Sequence, residues 1–151
     1  MALVRSIATR FARWRSRIWL SPPTEPRLRL GWLGEKEAAK FLRGAGYKVL
    51  YRRFRPRNRK GEIDLVCRHK ETLVFVEVKT RSSLAYGRPA EAVDDEKERL
   101  LIKGALAWLR MLHRHDIPVR FDIVEVLMEP GAPARCTLIA DAFKLPPQYV
   151  F

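Results

Sequence analysis

The chain has 151 residues, 47% of them hydrophobic, which suits one packed domain with tails rather than several domains. Lys and Arg number 30 against 17 Asp and Glu, a formal charge of +13, and self-repulsion of that size points to a polyanionic partner, with nucleic acid first and an anionic membrane surface second. Cys67 and Cys136 are too far apart for a Cys-x-x-Cys metal or redox motif and fit a reduced, cytoplasmic compartment, and no apolar run approaches the roughly 20 residues of a membrane span.

Residues 1–30 read as an extension. Val4, Ile7, Phe11, Trp14 and Ile18 recur at helical spacing among arginines, so they form the apolar stripe of a basic amphipathic helix, which Pro22, Pro23 and Pro26 then end. A membrane-surface arm, a nucleic-acid-binding arm and a weakly ordered tail all remain open for it. Residues 31–151 read as the folded domain. "GWLGEKEAAKFLRGAGY" is a helix with Ala38, Leu42 and Ala45 inward and Gly46 as its stop. "YKVLYRRF" is a first strand. "RRFRPRNRKG" carries Arg52, Arg53, Arg55, Arg57, Arg59 and Lys60 around Pro56, which predicts an exposed cationic loop that grips a phosphate backbone without reading sequence.

"GEIDLVC" and "TLVFVEVKT" are strands separated by "RHKE", which predicts an antiparallel hairpin. After a loop with Gly87 and Pro89, Asp94 or Asp95 caps a helix reaching about Leu112, with Leu101, Ala105, Trp108 and Leu112 buried. "VRFDIVEVLM" follows as a strand parallel to the second arm of the hairpin, because a helix intervenes. "ARCTLIA" returns as an edge strand. The fold class is α/β, a mixed central sheet flanked by helices.

Charges inside the hairpin strands need a reason. A four-residue "RHKE" loop sets Cys67 against Thr72, Asp64 against Phe75 and Glu62 against Glu77, which makes Asp64 and Glu77 diagonal neighbours on one face. Two converging carboxylates repel, so one pKa rises unless a hard cation compensates, and a carboxylate pair with waters suits Mg²⁺ or Mn²⁺. Lys79 points the same way and can orient a water or steady charge on a phosphate. Glu35 and Lys97 lie on the inward stripes of their helices and aim at the same place. Glu62 reads as structural, pairing with Arg81 or Lys60. Asp122 reads as the partner of Arg120 or a neighbouring arginine, and Trp108 as core. His69, His113 and His115 lack the spacing of a zinc site.

"GEIDLV", "VFVEVKTR", "YGRPAEAVDDEKERLL" and "RFDIVEV" resemble the YraN family, whose fold is similar to the restriction-endonuclease-like, or PD-(D/E)XK, nucleases and to archaeal Holliday junction resolvases. The resemblance runs roughly from Gly31 to Phe143 and implies the α-β-β-β-α-β core of that fold. It implies a metal-dependent endonuclease acting on DNA ahead of RNA, including branched or structured DNA. Asp64, Glu77 and the Val78 carbonyl would hold Mg²⁺ or Mn²⁺, Lys79 and Glu35 would complete the catalytic set, and Arg81 and Lys97 would contact phosphate. A homodimer is implied by the resolvase likeness. Ile63 stands where a literal Pro-Asp would have Pro. The alternative is a nucleic-acid-binding module without catalysis on the same fold.

Overall fold

The computed structural model describes residues 21–58, 60–83, 95–114 and 116–149. The expected N-terminal helix, Arg59, the loop around Gly87 and Pro89, Asp94 and His115 lie outside the described residues. Helix α1 (Pro26–Gly44) precedes strands β1 (Lys48–Phe54), β2 (Ile63–His69) and β3 (Thr72–Arg81). Helix α2 (Asp95–Leu112), β4 (Val119–Leu127) and β5 (Arg135–Phe143) follow. The strands form one sheet in the order β1-β2-β3-β4-β5, antiparallel except where β3 and β4 run parallel across the α2 crossover. This is the expected mixed sheet flanked by helices.

Each helix closes one face. Ala38, Ala39 and Leu42 of α1 pack with Leu65, Cys67, Val74, Val76, Val124 and Val126. On the other side Leu101, Ala105, Trp108 and Leu112 of α2 pack with Leu50, Phe54, Val66, Phe75 and Phe121. The alternation of these sets along β3 and β4 is the period-2 pattern of strands buried on both faces.

Helix α1 starts five residues ahead of Gly31, because proline is tolerated in a first turn whose N–H groups have no intrahelical partner. Pro26 therefore opens this helix instead of ending an earlier one. Its C-terminus is a Schellman turn: Gly46 at φ +87° lets its own N–H reach the Arg43 carbonyl at 3.1 Å and the Tyr47 N–H reach the Leu42 carbonyl at 2.9 Å. Ala45 is the cap and is exposed, so Ala39 takes the inward position expected of it.

The hairpin differs from the expected register by two residues. His69 pairs with Thr72 and Cys67 with Val74, so the loop is Lys70 and Glu71 alone, with Lys70 at φ +54°. Arg68 and His69 belong to the strand despite their polarity, and the His69 ring stacks on Tyr47 with centroids 4.3 Å apart. A slip of two leaves every side chain on its face. The ladder ends at the Leu65 and Val76 pair, so Asp64 and Glu77 are the next residues past its last step instead of diagonal neighbours within it.

Gly61 and Gly104 join the segment before β2 to α2. A Cβ on Gly61 would stand 2.4 Å from the Leu100 carbonyl, and φ there is +102°, so only glycine fits. Gly31 in α1 has nothing within 4 Å of a Cβ. Gly61→Ala should therefore cost about 3 kcal/mol through a positive φ and a backbone clash, lowering the melting temperature by roughly 6–12 °C. Gly31→Ala should add up to about 1 kcal/mol. Paired thermal melts check both signs.

Candidate active site

The site forms where β2 stops pairing and β3 continues. Val78 has no partner on β2, and its N–H donates instead to Asp64 Oδ2 at 2.8 Å. This bond fixes the Asp64 carboxylate in the gap between the strands. Glu77, one residue earlier, is 3% exposed, and its Oε1 meets Lys79 Nζ at 3.3 Å and Lys97 Nζ at 3.2 Å. Its Oε2 is buried without a hydrogen-bond partner among the described residues. Such an oxygen costs on the order of 1–3 kcal/mol or more unless something occupies it.

The electrostatics follow from burial and proximity. Burial first, and Glu77 second, push the Asp64 pKa well above the usual carboxylate range; Glu35 adds to this, while the Val78 N–H and Lys97 oppose it. Asp64 and Glu77 therefore form the repelling pair expected from the sequence. Burial of Lys97 favours its neutral form, but Glu77 and Asp64 outweigh it and its pKa is raised. Register also places Glu125 of β4 beside Lys79, a position the sequence reading missed. The signal was available, since Glu125 lies three residues past Asp122 and so on the opposite face of a strand parallel to β3.

Glu35 does not join this cluster directly. Its Oε2 accepts Arg52 Nε at 2.9 Å and Arg53 Nε at 2.8 Å, and Arg52 Nη2 donates to the Trp32 carbonyl at 2.7 Å. The Arg52 side chain is only 3% exposed, so it is not part of an exposed cationic loop and cannot grip a phosphate backbone. The reason is that Arg52 lies within β1 at one of its inward positions, with Leu50 and Phe54, and faces Glu35. Burial lowers the Arg52 pKa, and Glu35 opposes that. Arg53 is a strand residue at φ +52°, partly exposed, and bonded to the same oxygen.

The loop proper is shorter than expected. Arg55 donates Nη2 to both Glu62 carboxylate oxygens, at 3.1 and 3.2 Å, so Glu62 pairs with neither Arg81 nor Lys60 and does not oppose Glu77. Arg57 and Lys60 are exposed, and Arg81 closes β3 two residues past Lys79. A cleft of about 670 Å³ opens between this loop and α2, lined by Arg55, Pro56, Arg57, Gly61, Glu62, Lys97 and Leu100. Asp122 is structural as expected: it accepts Arg120, the Tyr47 hydroxyl and the Asp141 N–H.

Residues 34–126, which carry Glu35, Asp64, Glu77, Lys79 and Lys97, match the family described as "Uncharacterised protein family UPF0102". The chain belongs to the UPF0102 family. It is 44% identical over 117 residues to a UPF0102 protein of Trichlorobacter lovleyi, covering 77% of this chain and 91% of that one. It is 46% identical over 115 residues to one of Symbiobacterium thermophilum, covering 76% and 96%. A UPF0102 protein of Rhodococcus opacus is 44% identical over 116 residues, covering 77% and 97%. This is the family of the YraN resemblance, and the restriction-endonuclease-like core agrees with it.

Among the described residues of this UPF0102 chain, no group of three or more His, Cys, Asp and Glu side chains is placed to hold an ion. The groups that this site could offer an ion are the Asp64 and Glu77 carboxylates and the main chain beside them. That set fits Mg²⁺ or Mn²⁺, and the unpartnered Glu77 Oε2 is where it would be used.

The metal-free protein should lose stability as pH rises from about 4, where unfolded Asp ionises, through the raised pKa of Asp64, because across that window the folded state holds the proton and the unfolded state releases it. Asp64→Asn keeps an acceptor for the Val78 N–H, so it should remove this decline and be at least as stable as wild type at pH 7. Glu77→Ala strands two ammonium groups and should cost about 3 kcal/mol at pH 7. Thermal melts in chelator across pH 4 to 8 measure both.

Proposed function

We propose that the protein is a metal-dependent nuclease that hydrolyses phosphodiester bonds, with DNA ahead of RNA as substrate. One observation carries the reading: Glu77 is buried with one oxygen between two lysines and the other unpartnered, and like Asp64 it lies just past the last paired step of the β2–β3 ladder. A purely structural ion pair has no use for a second carboxylate whose proton affinity its neighbour raises. A net charge of +13 supplies the attraction for the substrate.

Asp64, Glu77 and the Val78 carbonyl would hold the ion. Bound Mg²⁺ or Mn²⁺ supplies Lewis acidity toward a phosphate oxygen and lowers the pKa of an attacking water. Lys79 orients that water toward phosphorus and steadies the charge that develops as the leaving P–O bond breaks. Lys97, already at the rim of the cleft, takes a non-bridging phosphate oxygen. Glu35 holds Arg52 and Arg53, and through them the end of β1, against the site. Arg53, Arg57, Lys60 and Arg81 contact the backbone without reading sequence.

The second reading, a binding module without catalysis, has its own support: two lysines already neutralise Glu77 without an ion. Metal separates the two. Mn²⁺ should raise the melting temperature of wild type, and Lys79→Ala should keep that rise while losing metal-dependent cleavage, since lysine is not a ligand. Asp64→Ala should lose both. Absence of any Mn²⁺ effect on wild-type melting, together with intact nucleic-acid binding, would favour the module.

A further inference from the structure

We propose that the cleft between the β1–β2 loop and α2 receives one unpaired nucleotide of the substrate strand, next to the scissile phosphate. This inference rests on the nuclease reading for its place in the reaction and specifies the substrate: nucleic acid with a single-stranded segment at the cut, in preference to closed duplex.

Lys97 links the cleft to the catalytic cluster. Its ammonium lies 3.2 Å from Glu77 Oε1, and its side chain lines the cleft wall, so a strand whose phosphate meets Lys97 places its neighbouring nucleotide in the cleft. A volume of about 670 Å³ lies in the range of pockets that enclose one small molecule, and a nucleotide is a ligand of that size. A duplex is far too wide to enter. Its base would have to leave the stack, which is least costly when it is already unpaired.

The walls have the chemistry of base binding without sequence reading. Arg55 and Arg57 offer guanidinium planes, which stack on unpaired bases, and Pro56 and Leu100 supply apolar surface beside them. Arg55 is held by both oxygens of Glu62, so its plane is oriented before the ligand arrives. Gly61 packs against the Leu100 carbonyl where no side chain fits, so the loop is held close to α2 along this wall of the cleft.

The test is anisotropy of a labelled single strand and of a blunt duplex of the same sequence, in chelator so that nothing is cut. Wild type should bind the single strand at least about tenfold more tightly. Leu100→Trp fills the cleft without changing charge and should remove most of that preference while leaving duplex affinity within about twofold. The variant Arg55→Lys keeps the charge, lies at an exposed position that does not threaten folding, and loses the planar group, so it should lower single-strand affinity alone. Equal wild-type affinity for the two ligands, or variants that weaken both equally or neither, would overturn the proposal. The two readings fail separately: metal-dependent cutting of duplex and single strand alike sinks the cleft and spares the nuclease, whereas a cleft-dependent preference without cutting does the reverse.

Discussion

A carboxylate buried in the middle of a central strand dominates the energetics of this protein. Glu77 would be prohibitively costly in the interior if nothing answered its charge. Lys79 on its own strand and Lys97 on α2 do so through a single oxygen, and Asp64 stands across the ladder as a second negative group. The sheet, the crossover helix and the short β2 are all needed for that meeting. Parallel pairing of β3 with β4 requires the α2 crossover, and that crossover brings Lys97 over the face that Glu77 occupies. Because β2 stops pairing early, the Val78 N–H is free to take Asp64, and the two acids meet at an opening in the ladder instead of inside a continuous one.

The opposite side of the sheet braces this arrangement. Glu35 collects Arg52 and Arg53, and Arg52 also holds the Trp32 carbonyl, so α1 and the end of β1 are tied by a buried charge network. Arg53 accepts a left-handed backbone within a strand to join it, a conformation that persists only where the surroundings fix it. At the far end, Asp122 is satisfied by Arg120, Tyr47 and the Asp141 main chain, which closes α1 onto β4. Asp122 is fully partnered, whereas Glu77 Oε2 has no hydrogen-bond partner among the described residues. On the proposed reading, that contrast separates the structural carboxylate from the chemical one.

Much of this was legible in the sequence because the strongest signals are periodic. The apolar runs of β2 to β4, the stripe of Leu101, Ala105, Trp108 and Leu112, and the parallel placement of β4 followed from pattern and crossover length alone. The convergence of Asp64 and Glu77 survived a register error because the slip was two residues and parity decides the face. The loop length was misjudged because Arg68 and His69 are polar, and the stacking of His69 on Tyr47 that keeps them in the strand is a long-range contact. Arg52 was misplaced for a similar reason. In sequence it is one of six clustered cations, and only the third dimension turns it toward Glu35. Glu125 was overlooked because its neighbour Lys79 lies on another strand.

On the proposed reading, Glu77 Oε2 is an ion's place. Crystals soaked in Mn²⁺ and measured for anomalous scattering address it directly. A peak within about 2.0–2.3 Å of both Glu77 Oε2 and Asp64, with Val78 main chain adjacent and Lys79 outside the coordination shell, is the predicted result. An ordered site with no anomalous peak, Lys79 and Lys97 still on Glu77 Oε1, and only water at Oε2 would contradict it.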